Sequence, residues 1–167
     1  MAKRDMETPQ GWRSGSLRYG SGLTLEKAKK MLQAAEEEAD RQGIPMAIAI
    51  ADAGGNLLAF HRMDDAILVS INVAVDKAFT AVFGKLPTHC WFDKFRNGEL
   101  PSSKFNERWI ALPGGFPLAK NGEIMGGIGA SGGVEREDIC VARAALAAGG
   151  FDLNEADARL AEISRQP

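Results

Sequence analysis

Apolar residues at Leu25, Ala28, Leu32, Ala35 and Ala39 repeat with the three-and-four spacing of one helical face. Thr24 is placed to cap that helix, Glu26 sits in its first turn where the dipole favours an acid, Gly43 ends it and Pro45 prevents its resumption. Met46 to Ala51 is a short, continuous apolar run, the pattern of a buried strand. Asp52, Gly54, Gly55 and Asn56 make a turn, and Leu57 to Arg62 returns as a second strand, so this pair predicts an antiparallel hairpin. Ile67 to Phe83 reads as a long helix with Ile67, Ile71, Ala74, Ala78 and Val82 on one stripe. Pro87 and Thr88 open a shorter helix, Cys90 to Asn97, which Gly98 stops.

Beyond a polar stretch from Glu99 to Arg108, Trp109 to Leu112 is read as a strand, broken by Pro113, Gly114 and Gly115. Phe116 to Ala119 and Glu123 to Ala130 flank Asn121-Gly122, a strong hairpin signal because both turn residues tolerate positive φ. A last long helix covers Glu135 to Ala148, and a short terminal one with Asn154 as its cap follows Phe151. The strands come in hairpins, which predicts an α+β fold with an antiparallel sheet rather than a parallel α/β fold. Residues 1–22 carry scattered glycines and charges without periodicity and are expected to form a flexible arm, in which Trp12 and Tyr19 stand out. Residues 23–167 are expected to form a single domain, as 167 residues suggest.

The charge balance narrows the partners. A net charge of −2 gives no basic field for nucleic acid or anionic lipid. No run of 18 apolar residues spans a membrane, and the polar start from Met1 to Gln10 lacks the apolar core of a secretory leader, so a cytoplasmic location is expected. Two cysteines make no disulfide framework; Cys140, on an apolar helical face, is expected in the core. Gly127, Gly129 and Gly132 match the spacing of a dinucleotide fingerprint, but no second parallel strand with an acidic end follows. No NAD or FAD site is therefore expected, and the glycines are read as allowing close approach of a helix, a subunit or a ligand. An anion at the N-terminus of the last helix, near Ser131 to Val134, is a further possibility. The two histidines, His61 and His89, lack a ligand pair with zinc spacing, so no structural zinc is expected; a lone histidine can still serve as an axial ligand. Lys77, beside Ala78 and Thr80, borders the core and needs an anion, either Asp64 or Asp76 or a ligand carboxylate, while Thr80 can bond its own preceding turn.

Three blocks resemble the GlcG/HbpS family. They are Asp52-Ala53-Gly54-Gly55-Asn56-Leu57 through Arg62-Met63-Asp64, then Lys77-Ala78-Phe79-Thr80-Ala81, then Gly114-Gly115-Phe116-Pro117-Leu118 with Gly122-Glu123 to Gly132. Asp138 fits the acidic position opening that family's last helix, and the likeness spans about residues 23–149. One departure is Asp65, where the family usually carries glycine. The resemblance implies a profilin-like fold with a sheet of about five strands flanked by helices. It implies a homo-oligomer, from dimer to octamer, and members that bind haem, act in haem uptake or redox sensing, or lie in catabolic gene clusters.

Two readings of function follow. In the first, the chain binds haem or a related tetrapyrrole, with Arg62 or Lys77 holding a propionate and His89 or His61 approaching the iron. In the second, it is a cofactor-independent enzyme of the lyase, hydratase or isomerase type acting on a small carboxylated catabolite. There Arg62 and Arg108 clamp the carboxylate, and the Gly114–Gly115 rim offers N–H donors to developing negative charge. Lys77, Glu107 or His89 would then move protons. Thr80 and Phe116 complete the expected ligand-binding set, which joins Arg62, Lys77, His89, Arg108, Gly114 and Gly115. A structural oligomer without a ligand is the third possibility.

Overall fold

The computed structural model describes residues 22–100 and 105–151. Helix α1 (Leu25–Gln42) begins where the Thr24 hydroxyl accepts the Lys27 N–H at 3.2 Å, and ends at Gly43 with φ +69°. The hairpin β1 (Ala47–Asp52) and β2 (Leu57–Arg62) follows, its turn held by Asp52 Oδ1, which accepts the N–H groups of Gly54 and Asn56 at 2.8 and 2.9 Å. Helices α2 (Val69–Gly84) and α3 (Thr88–Arg96) precede a second hairpin, β3 (Gly115–Lys120) and β4 (Glu123–Ser131), and α4 (Glu135–Gly149) closes the described part. All three strand pairings are antiparallel and the order is β2-β1-β4-β3.

This is the α+β architecture that the paired strands predict, with four strands among the described residues where about five were implied. Trp109 to Leu112 is not a strand: the Ile110 N–H, which a ladder would claim, donates to the Thr80 hydroxyl instead. The N-terminal arm with Trp12 and Tyr19, and the terminal helix capped by Asn154, lie outside the described residues.

Alternation along the strands sorts the two faces. Ile48 and Ile50 of β1, Phe116 and Leu118 of β3 and Ile128 of β4 point into the main core against α1 and α4. The intervening residues, Ala47, Ala49 and Ala51 with Gly115, Gly127 and Gly129, face α2. Small residues there let α2 lie close on the sheet. A Cβ on Gly129 would press on the Ala74 carbonyl oxygen, 2.7 Å from the Ala78 nitrogen and 2.9 Å from the Lys77 Cβ. Two of the glycines that mimic a dinucleotide fingerprint, Gly127 and Gly129, therefore serve the approach of α2, while Gly132, at φ +149°, lies against the backbone of Pro45 and Met46. Asp65 adopts φ +65°, a conformation that glycine takes without strain.

Candidate functional site

Lys77 and Asp138 meet in the interior although 61 residues separate them. The α2 helix directs the lysine toward the β3 side of the sheet, where its ammonium donates to Asp138 Oδ2 at 2.6 Å and to the Ala130 carbonyl at 2.9 Å. Both side chains are almost inaccessible, 3% and 6% exposed. Burial pulls the Lys77 ammonium below its ordinary pKa and pushes the Asp138 carboxyl above its own; their mutual attraction opposes both shifts. The counter-ion is thus Asp138, not Asp64 or Asp76. Gly114, at φ +111°, leaves room for the pair, since a Cβ there would come within 2.7 Å of Asp138 Cβ and 3.0 Å of Lys77 Nζ.

The rest of the β3 side is similarly committed. The Gly115 N–H donates to the Thr88 hydroxyl at 2.8 Å, and the Ala130 N–H donates to the Gly114 carbonyl at 2.9 Å. Phe116 is fully buried, with the His89 ring 5.6 Å away, centre to centre, and the Arg143 guanidinium 5.9 Å from the ring centre. Thr80 does not turn back to its own helix; its hydroxyl accepts the Ile110 N–H at 2.9 Å. Arg108 lies 4.0 Å over the Phe79 ring and reaches Asp76 and the Gly55 carbonyl, both at 3.4 Å, while Glu107 faces solvent. The start of α4 uses the chain's own carboxylates: Asp138 Oδ1 accepts the Gly133 N–H at 2.9 Å and Glu137 accepts the Val134 N–H at 2.7 Å. The Gly133 and Val134 amides, where an anion was one possibility, are thus occupied by the chain's own carboxylates. Cys140 is exposed, not in the core, because its position on α4 falls on the flank away from the sheet.

The opposite edge of the sheet presents a different set. On β2, His61 faces α1 and its Nδ1 lies 2.8 Å from Glu36 Oε1, both side chains being partly exposed. A carboxylate only accepts, so the Nδ1 proton goes to Glu36 and the lone pair of a neutral ring is left on Nε2. Beside it opens a hollow of about 510 Å³ lined by Glu36, Asp40, Ile44, Arg62, Met63 and Asp64. The structure therefore brings Lys77, Thr80, His89, Gly114, Gly115 and Phe116 to one side and sets His61 and Arg62 on the far edge. Glu36 escaped sequence reasoning because it sits in the run Glu36-Glu37-Glu38, which reads as a solvated helix face. Among the described residues no group of three or more His, Cys, Asp or Glu side chains is placed to hold a metal ion, and no helix is long and apolar enough to cross a membrane.

Residues 23–147 match the family model described as haem degrading protein HbpS-like. This chain belongs to the HbpS-like family. GlcG of Escherichia coli is 34% identical over 109 residues, which is 65% of this chain and 81% of that protein. A double mutant of HbpS from Streptomyces reticuli superposes with a TM-score of 0.72 at 35% identity, covering 84% of this chain and 95% of that one. The complex of PduOC with heme gives 0.72 at 34% identity, covering 75% and 94%.

Proposed function

We propose that this HbpS-like protein binds haem or a related tetrapyrrole at the β2 edge, where His61 would hold the iron. The observation that carries this reading is the His61–Glu36 pair. Histidines that ligate metals commonly donate their other ring N–H to a carboxylate, which fixes the tautomer and raises the basicity of the ligating nitrogen. Glu36 does this at 2.8 Å, and the His61 ring is partly exposed. Arg62, the next residue, is exposed and lines the hollow, where its guanidinium can take a propionate; Ile44 and Met63 offer apolar contact to the macrocycle. Haem supplies the redox and oxygen chemistry of its iron when bound; the chain supplies the nitrogen, its orientation and the charge for the carboxylates. The heme complex of the PduOC relative supports the ligand class.

The enzymatic alternative, drawing on Lys77, Glu107 and His89, takes second place. The Lys77 ammonium is held behind the sheet edge by Asp138, and the Gly115 amide is engaged by Thr88. Titration of the purified protein with hemin, followed by absorbance, tests the proposal. A saturable Soret band at one hemin per chain is expected, lost in His61→Ala and kept in His89→Ala. Loss in His89→Ala alone, or a nonsaturating response in the unmodified protein, overturns it.

A further inference from the structure

The hollow at the β2 edge carries an unbalanced charge. Three carboxylates, those of Glu36, Asp40 and Asp64, belong to its lining, against one guanidinium, that of Arg62. Glu36 is engaged by His61. Asp40 follows one helical turn beyond Glu36 on α1, and Asp64 follows Arg62 by two residues. Both are exposed, and neither side chain makes an ion pair or a hydrogen bond among the described residues. Arg41, the other cation at that end of α1, is held by Glu38 and is not part of the lining. Ile44, Pro45 and Met63 supply the apolar walls.

A further carboxylate stands at the rim. The chain leaves β2 through a turn from Met63 to Ala66, closed by the Ala66 N–H, which donates to the Met63 carbonyl at 3.2 Å. The third residue of that turn is Asp65, at φ +65°, a conformation that turns ordinarily reserve for glycine. The GlcG/HbpS family usually carries glycine here. This chain accepts local backbone strain and sets a second carboxylate directly beside Asp64. Strain of this kind persists where the surroundings over-determine it, and it clusters at functional sites. Asp65 is exposed and also lacks an ion pair among the described residues. Negative charge therefore borders the hollow on both sides, from α1 and from the turn.

Tetrapyrroles differ in how many carboxylates their periphery carries: two in protohaem, four in an iron coproporphyrin. One arginine clamps one carboxylate in bidentate fashion. Every further carboxylate that must lie against this hollow meets charge of its own sign, and near a protein surface such repulsion is stronger than in bulk water. We propose that Asp40, Asp64 and Asp65 make the hollow selective for tetrapyrroles with few carboxylates, so that it accepts a dicarboxylate haem and rejects a tetracarboxylate one. The inference rests on the haem reading above and adds to it the side chains that choose among haems.

Soret titrations of the full chain with hemin and with iron coproporphyrin III test this. They are run at ionic strengths of about 0.01 M and about 1 M, between which the Debye length falls from about 30 Å to about 3 Å. At low salt the dissociation constant for iron coproporphyrin is expected to exceed that for hemin at least about tenfold, and the ratio should collapse toward unity at high salt. Asp40→Asn combined with Asp64→Asn, and separately Asp65→Gly, are each expected to lower the low-salt ratio about threefold or more. Asp65→Gly also relieves a positive φ, so loss of the fold does not obscure its outcome. Equal affinity for the two ligands in the unmodified protein overturns the selectivity and leaves the His61 site standing. So does a ratio that survives high salt, or one that none of the substitutions moves. A hemin titration that does not saturate overturns both readings.

Discussion

Replacing Asp138 by asparagine removes one charge from a buried pair while keeping its shape. At 2.6 Å and an effective dielectric constant of about 20, the lost attraction to Lys77 is about 6 kcal/mol. Part of it is returned because the carboxylate no longer has to be desolvated, and the net cost of breaking a buried pair by removing one partner is about 3–5 kcal/mol. Asparagine cannot repair both contacts. If its oxygen faces the Gly133 N–H, its amide group meets the ammonium; if its oxygen faces the ammonium, its amide group meets the Gly133 N–H. The expected loss is a large fraction of the roughly 5–15 kcal/mol that holds a domain together. Urea unfolding followed by circular dichroism at pH 7, extrapolated to water, measures it. The pH dependence has a defined sign. Burial lowers the Lys77 pKa in the folded chain below its unfolded value of 10.5, so the unfolded state binds more protons at high pH and stability rises with pH there. The penalty of Asp138→Asn should therefore shrink between pH 7 and pH 10 as Lys77 sheds its proton. Adding Lys77→Met to Asp138→Asn should recover at least half of the loss at pH 7, since no lone charge remains buried. A penalty under about 1 kcal/mol at pH 7, or one that stays flat to pH 10, would refute this account of the pair.

Two further outcomes test other parts of the structure. Gly129→Ala forces a methyl group onto the backbone of α2 at Ala74 and Ala78 and should cost about 3 kcal/mol by chemical denaturation; a loss below about 0.5 kcal/mol would show that α2 can lift from the sheet. Of the two thiols, Cys140 should react rapidly with a colorimetric disulfide reagent in the native protein, whereas Cys90, 4% exposed, should react only on unfolding; two fast thiols would contradict the burial of Cys90.

Local periodicity and caps read most of the fold correctly. The span from Leu57 to Arg62 is the same in pattern and structure, and Thr24, Gly43 and the Asn121-Gly122 turn act where their chemistry places them. Trp109 to Leu112 misled because a short apolar stretch does not reveal its pairing; its Ile110 amide goes to a side chain on α2. Cys140 misled because one helix carries both a core stripe and a flank, and alanine-rich α4 marks the boundary weakly. Of the candidate site, the residue types were legible but their grouping was not. Arg62 and Lys77 lie in neighbouring blocks of the chain, yet the order β2-β1-β4-β3 sends them to opposite sides of the sheet.

What the sequence by itself determined were contacts within a few residues: the helices, the two hairpins, the turn glycines and the alternation of alanine with isoleucine along β1. Helical and strand periods, capping and turn conformations depend on neighbours in the chain, so they are written locally. Only the tertiary structure decided that Lys77 is neutralised by Asp138, that Glu36 orients His61, and that α2 lies over β4, β1 and β3. Each of these depends on which strand lies next to which, and on how closely a helix descends onto small residues from another hairpin. Those distances are set by packing across 25 to 61 residues of intervening chain, which no local pattern encodes.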